Sequence, residues 1–321
     1  MAKFIISTPA RLHLGFINLD FNKLRDFGSL GLTIDTFKTV IEAEESKKFL
    51  INGKNSSKVE EIIKLLSKTY TLKPCKLNIK HTIPEHVGLG SGTQLALSIS
   101  TILFHISNKE LDIEEFAKIT NRGKRSSIGI NCFKSGGFFV DAGRKKKSKE
   151  LSPIIFRQFW PNSWRIILIT DPSDQGLYGK RENNEFDKIG MNKNFTTSEN
   201  CEALITNIIP GIIEKDFEMF CDGIQIIQRN TASKFSKAQG GMFSSKKIGK
   251  IFNVLEKNGM KGYGQSSWGP TSFIFCKDFA HKKEILKKIK YEVQKFKFSE
   301  LKIFEVSGQN NGFKIQDIGK R

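Results

Sequence analysis

One string constrains this chain more than any other: Pro84-Glu85-His86-Val87-Gly88-Leu89-Gly90-Ser91-Gly92-Thr93-Gln94. Glycines at alternate positions let the backbone bend without Cβ clashes, and they let main-chain amides approach an anion closely. Leu95, Ala96, Ile99, Ile102 and Leu103 follow in a mostly apolar stretch, which predicts a buried helix. A helix opening behind such a loop offers free N–H donors and the positive end of its dipole. Ser91 and Thr93 add hydroxyls suited to phosphate oxygens or to a hydrated Mg²⁺. The loop is neither GxxxxGK[ST] nor GxGxxG. Taken alone, it fits a phosphate cradle and a tight strand-to-helix turn equally well.

The elements around it alternate. Lys3 to Ser7 and Arg11 to Leu14 read as short strands on either side of Pro9, and Thr39 to Glu42 as another. Ser57 with Glu60 predicts a capping box ahead of Val59, Ile62, Ile63, Leu66 and Tyr70, which fall at helical spacing. Lys76 to Lys80 reads as a strand. Asp112 with Glu115 predicts a second box, and Gly136-Gly137 a turn into a strand. Arg144 to Lys149 is a basic run with no apolar residue, which predicts an exposed loop, with a phosphate clamp as the alternative. Arg165 to Thr170 is apolar enough for a buried strand. The polar stretch Asp171 to Lys193 fits a lid or a solvated loop. Helices are expected near 198–209, 216–229, 245–258 and 279–290, and strands at Ser272 to Cys276 and Leu301 to Val306. A chain of 321 residues predicts two domains, 1–160 and 161–321, the second α+β.

Three further segments concentrate polar chemistry. Gly262-Tyr263-Gly264-Gln265-Ser266-Ser267-Trp268-Gly269-Pro270-Thr271 sets three polar side chains and a Trp between glycines. A core would not gather Gln265, Ser266 and Ser267 without partners, although a long hairpin turn would. Arg122-Gly123-Lys124-Arg125-Ser126-Ser127 flanks two hydroxyls with three cations, a composition suited to an anion. Pro9-Ala10-Arg11-Leu12-His13-Leu14-Gly15 places Arg11 and His13 on one strand face, with Leu12 and Leu14 on the other.

In this order the four segments resemble the GHMP kinase superfamily. The middle motif is Pro84 with Gly88 to Ser91, and the last is Gly262 to Thr271. The resemblance is closer to one branch, the β-ribofuranosylaminobenzene 5′-phosphate synthases. It is carried by His86 to Leu97, Gly136-Gly137-Phe138 with Val140-Asp141, Gly176-Leu177-Tyr178-Gly179, Gly240-Gly241 and Gly264 to Thr271. The fold this implies is α+β: an N-terminal domain like ribosomal protein S5 domain 2, then a ferredoxin-like C-terminal domain.

The activity implied joins phosphoribosyl pyrophosphate to 4-aminobenzoate, or a close benzoate analogue, and releases CO₂ and pyrophosphate. That is an early step of tetrahydromethanopterin biosynthesis. The resemblance to the wider superfamily also admits an ATP-dependent small-molecule kinase. Many such kinases carry an Asp shortly after a Ser-Gly in the third segment, whereas Ser126-Ser127-Ile128-Gly129-Ile130-Asn131 has no acid. A ring carbon that loses CO₂ needs no such base.

On this reading Gly88, Leu89, Gly90, Ser91, Gly92, Thr93 and Gln94 form the phosphate loop, with Mg²⁺ on Ser91 and Thr93. Arg122, Lys124, Arg125, Ser126 and Ser127 serve a phosphate. Arg11 and His13 hold an anion or orient the aromatic acid. Gln265, Ser266, Ser267 and Trp268 surround the acceptor, Trp268 offering a stacking face. Ser91, Arg11, His13 and Gln265 are the catalytic candidates.

Charge bears on the partners. Lys and Arg number 52 against 33 Asp and Glu, a net +19, and only 10 of the cations are Arg. That pattern reads as a Lys-rich solvated surface rather than a nucleic-acid face, and its field would gather small anions. Longer apolar runs that would span a membrane are missing, and so is a secretory signal. Five cysteines without a CxxC pair point to reduced thiols in the cytoplasm and to no zinc site. A homodimer is compatible with these features.

Overall fold

The computed structural model describes residues 2–19, 24–148, 150–174, 176, 184–186 and 196–319. Its first half contains β1 (Lys3–Asn18), β2 (Arg25–Glu45), β3 (Leu50–Gly53), α1 (Ser56–Leu66) and β4 (Cys75–His81). Then come α2 (Ser91–Ile106), α3 (Ile113–Ile119), α4 (Ile128–Lys134), β5 (Phe138–Asp141), β6 (Arg144–Lys145) and β7 (Ile154–Gln158). The second half opens with β8 (Arg165–Thr170). It continues through α5 (Thr197–Ala203), a π turn (Leu204–Ile208), α6 (Ile209–Glu214), α7 (Phe217–Gln239) and α8 (Lys246–Lys257). It closes with β9 (Tyr263–Gln265), β10 (Thr271–Cys276), α9 (Phe279–Lys295), β11 (Lys302–Val306) and β12 (Lys314–Asp317).

The first sheet runs β12-β1-β2-β4-β3, with β5 and β6 also paired to β2 and β7 to β5. The second runs β11-β8-β10-β9 and is antiparallel throughout. Helices precede β9 and follow β10, so this half has the β-α-β-β-α-β order of a ferredoxin-like unit, as expected. The last strand returns to the first sheet, where Ile6 faces Ile315.

Strand periodicity explains the layering. In β8, Ile166 and Leu168 point into one core while Ile167 and Ile169 point into another. In β10, Phe273 and Phe275 join the first pair, and Ile274 and Cys276 the second. The core they share with β1 (Ala10, Leu12, Leu14), β2 (Leu30, Leu32, Ile34) and α7 (Phe220, Ile224, Ile227) lies between the two sheets. The outer face of the first sheet packs on α1, α2 and α3, and that of the second on α8 and α9. No helix among the described residues is long and apolar enough to cross a membrane.

Several expectations need correction. The two short strands around Pro9 are one strand: Pro9 lacks an N–H for the ladder, and the β1–β2 register shifts between Thr8 and Ala10 instead of ending. The capping box at Ser57 does not form. Helix α1 starts at Ser56 with Asn55 as its cap in the left-handed conformation (φ 65°), which puts Ser57 inside the first turn. Asp112 does cap α3, accepting from the Glu114 and Glu115 amides. Arg144 and Lys145 pair with β2 instead of looping freely. Most of Asp171 to Lys193 lies outside the described residues.

Because one core joins both sheets, the halves should unfold together. Phe220 packs against Trp160, Trp164, Phe138 and Phe275 with no exposed surface. Phe220→Ala is expected to cost about 3–5 kcal/mol. Scanning calorimetry should show one transition in both proteins, lowered in the variant; two separated transitions would contradict the shared core.

Candidate active site

The glycine string closes over β1. The Arg11 amide donates to the Leu89 carbonyl at 3.1 Å, and the Arg11 guanidinium donates to the Gly88 carbonyl. That carbonyl also accepts from Ser266 Oγ at 2.7 Å, and Ser266 Oγ accepts from the His13 amide at 3.0 Å. Gly88 adopts φ +81°, and a Cβ there would lie 2.1 Å from the Ser266 carbonyl oxygen. A Cβ on Gly269 would lie 2.1 Å from the Val87 carbonyl carbon. The two glycine segments, 178 residues apart at Gly88 and Ser266, thus touch backbone to backbone where side chains would separate them.

Gly90, at φ +85°, caps α2 without a side chain. The Thr93 and Gln94 amides turn back to its carbonyl at 3.2 and 3.1 Å. The Ser91 and Gly92 amides, first in the helix, have no intrahelical acceptor. They face a cavity of about 390 Å³ lined also by Arg11, Arg122, Thr93, Ser267 and Trp268. Two guanidinium groups, a helix N-terminus and three hydroxyls therefore meet at one open space, a chemistry suited to a polyanion. Glu85 is the only carboxylate lining it among the described residues, and it is ion-paired with Lys58.

Other candidates lie behind or beside this cavity. His13 is buried, its ring 4.6 Å from that of Phe16. Burial, and then the Arg11 guanidinium, push its pKa down to about 3, so at neutral pH it is uncharged. Leu89 belongs to the shared core, and Gln94 donates to the Gly129 carbonyl at 2.8 Å. Gln265 is spent on scaffolding, donating to Gln239 Oε1 and the Ser267 carbonyl and accepting from the Ser244 amide. Arg125 lies 4.0 Å over the Phe186 ring, and Lys124 lines a neighbouring cavity.

Ser126 and Ser127 answer to an acid. The hydroxyls of Ser29 and Ser126 and the Ser127 amide converge on Oδ2 of Asp141 at 2.7, 3.1 and 3.0 Å, while the Gly143 amide donates to Oδ1. Asp141 has no exposed surface; burial pushes its carboxyl up, and these four donors pull it back. Reading the third segment in isolation misses this carboxylate. Its signal is an Asp ending the apolar run Phe138-Phe139-Val140. Lys58, Glu85 and His86 also border the main cavity; two of these fall inside the glycine string, whereas Lys58 carries no signal.

Trp268 faces the cavity on one side and an aromatic cluster on the other. Its ring sits 4.1 Å from that of Phe235 and 5.4 Å from Phe186, with Phe16 beyond. A Cβ on Gly176 would meet the Trp268 carbonyl at 2.2 Å, so that glycine packs against the second loop. Residues 177–179 of the same motif lie outside the described residues. No group of three or more His, Cys, Asp or Glu gathers for a metal among the described residues, and all five cysteines are free.

Known proteins resemble this chain in sequence and in fold. Residues 57–138 match the model of the GHMP kinases N-terminal domain, and 208–295 that of the GHMP kinases C-terminal region. The β-ribofuranosylphenol 5′-phosphate synthase of Methanocaldococcus jannaschii is 32% identical over 304 residues, spanning 84% of this chain and 89% of that protein. The protein of the same name from Methanothermobacter thermautotrophicus is 28% identical, spanning 84% and 88%. Among solved structures, the phosphomevalonate kinase of Streptococcus pneumoniae superposes with a TM-score of 0.69 at 12% identity, covering 96% of this chain and all of that one. The mevalonate diphosphate decarboxylase of Staphylococcus aureus gives 0.65 at 13%, covering 98% of each. At these identities the likeness is one of fold.

The buried neutral His13 has a measurable consequence. Its folded pKa lies below the unfolded value, so the unfolded chain binds the extra proton first. Stability should fall as pH drops from about 6.5 towards 3, with a slope approaching about 1.4 kcal/mol per pH unit. Chemical denaturation at pH 7, 6, 5 and 4 should show this fall attenuated in His13→Asn; parallel curves would contradict a neutral buried imidazole.

Proposed function

The chain belongs to the GHMP kinase superfamily and, within it, to the β-ribofuranosylphenol 5′-phosphate synthase family; from that premise we propose that it is a decarboxylating C-riboside synthase. It joins the ribosyl phosphate of phosphoribosyl pyrophosphate to the ring of a para-substituted benzoate and releases CO₂ and pyrophosphate, as in tetrahydromethanopterin biosynthesis. The product in the relatives' name is a phenol. 4-Hydroxybenzoate therefore stands beside 4-aminobenzoate as the acceptor.

The observation that carries the reading is the cavity at the start of α2, where cations and amides converge and the one carboxylate lining it among the described residues is paired with Lys58. The C1–O bond of the ribose breaks as the electron pair leaves with pyrophosphate. Ring carbon 1, made electron-rich by the para oxygen or nitrogen, forms the new C–C bond. The pair of its C–CO₂⁻ bond then restores the aromatic ring as CO₂ departs. This step moves no proton at the ring carbon, so the site needs no general base there. It needs fixed donors for the charge that grows on the diphosphate, and the Ser91 and Gly92 amides, Arg11 and Arg122 supply them.

Mg²⁺ fits as a companion of the diphosphate, because Ser91 and Thr93 offer neutral oxygens and the cation would be held largely by phosphate and water. Bound there, it would supply further neutralisation of the leaving group. The acceptor lies towards Ser267 and Trp268, whose indole borders both the cavity and the aromatic cluster.

Purified protein with Mg²⁺, phosphoribosyl pyrophosphate and carboxyl-labelled 4-hydroxybenzoate or 4-aminobenzoate should release CO₂ and pyrophosphate in equal amounts. Folded protein inactive with both acceptors would overturn the reading. Ser91→Ala should lower kcat by about tenfold or more while the melting temperature stays nearly unchanged, because Ser91 opens α2 without serving as its cap.

A further inference from the structure

A second cavity, of about 440 Å³, adjoins the first, and Arg122 is the one described residue that lines both. Four cations border it, Lys118, Arg122, Lys124 and Arg144, against a single carboxylate, Glu150. Glu150 is held by Lys118 at 2.5 Å. Among the described residues no second acid lines the wall beside Arg122, Lys124 and Arg144, although Glu61 acts on Arg122 from outside it. Asp26, opposite Arg144 across the β2–β6 ladder, is the other acid within that arginine's field.

The local backbone fixes this group. Gly123 takes φ +77°, and a Cβ there would lie 2.6 Å from Leu151 and 2.7 Å from Ile130. The turn is thus pinned to the core, with Arg122 before it and Lys124 after it. The Arg144 guanidinium donates to the Lys124 carbonyl at 3.3 Å, tying the two cations together. Arg122 reaches the other way. Its Nη1 lies 3.1 Å from where a Cβ on Gly92 would stand, and its Nε is buried without a partner. The guanidinium thus borders both cavities, where its charge favours an anion on either flank.

We propose that Arg122 divides two anion subsites of one extended substrate: the glycine loop takes the C1 diphosphate of phosphoribosyl pyrophosphate, and the Lys124–Arg144 cavity takes its 5-phosphate. This rests on the synthase reading and adds the orientation of the donor. The direction follows from Trp268. The reacting C1 must face the acceptor, and Ser267 and Trp268 border only the glycine-loop cavity. The diphosphate therefore sits there, on donors that stabilise its departure. The 5-phosphate, which does not react, serves as a remote handle whose binding energy positions the ribose.

Calorimetric titration of the full chain with pyrophosphate and with ribose 5-phosphate tests this. Each ligand should bind once and without excluding the other. Lys124→Ala, at an exposed position, and Arg144→Ala should each weaken ribose 5-phosphate by about tenfold while leaving pyrophosphate within about twofold. In turnover, Lys124→Ala should lower kcat/KM for the donor by about tenfold. Mutual exclusion of the two ligands, no binding of ribose 5-phosphate, or equal weakening of both by Lys124→Ala would overturn the proposal. The labelled-benzoate assay separates the two readings. Two independent subsites without CO₂ release would sink the synthase reading alone, and CO₂ release with competing ligands would sink the two-subsite arrangement alone.

Discussion

The carbonyl oxygen of Gly88 is the junction on which the site depends. It accepts from Arg11 of the first strand and from Ser266 of the last glycine segment. Those contacts bind three stretches that are remote in sequence into one wall. The oxygen faces inward to these donors, and the following amides at Ser91 and Gly92 have no acceptor within the helix. A loop held only by its own turn would lose much of that direction to conformational freedom. Here the half-buried Arg11 guanidinium, the buried Ser266 hydroxyl and two backbone contacts, at Gly88 and Gly269, hold the loop in place. Preorganised donors of this kind stabilise developing charge without reorganising during the reaction.

Much of this was readable in the residues, and the exceptions have physical causes. The glycine string, the buried helix behind it and the second glycine segment are local features, because spacing and side-chain size alone declare them. The ferredoxin-like half follows from runs such as Arg165 to Thr170, apolar on both faces. What spacing could not show is which polar groups end as scaffolding. Gln265 and Ser266 look like ligand contacts because they are polar, yet their partners are Gln239, Ser244, Gly88 and the His13 amide. Buried polar groups need partners, and only the tertiary contacts reveal whether protein or substrate provides them. Helix α1 is a smaller case: two serines and an asparagine compete for its cap, and the left-handed Asn55 wins.

The third segment shows how one missing contact changes a chemical reading. Its own residues carry no acid, yet β5 brings Asp141 to Ser126 and Ser127. That does not restore a general base to the site. The carboxylate is fully buried and receives four donors, so its lone pairs are committed to the start of α4 and to the turn at Gly143. It acts as an anchor. It fixes the end of the segment whose beginning, at Gly123, is fixed by Leu151 and Ile130. The cations between these two anchors gain their positions from both.

This chain shares its fold with proteins named as kinases and as a decarboxylase. What differs between such chemistries is the proton. Transfer to an alcohol leaves a hydroxyl proton that some group must take. Attack by a ring carbon that sheds CO₂ leaves none. The cavity here is consistent with the second case: His13 is uncharged behind the loop, Asp141 is enclosed, and Glu85 is paired with Lys58. His86 is the one other titratable base bordering the cavity among the described residues. The two guanidinium groups and the amides at the start of α2 are the donors there, and donors are what a departing diphosphate requires.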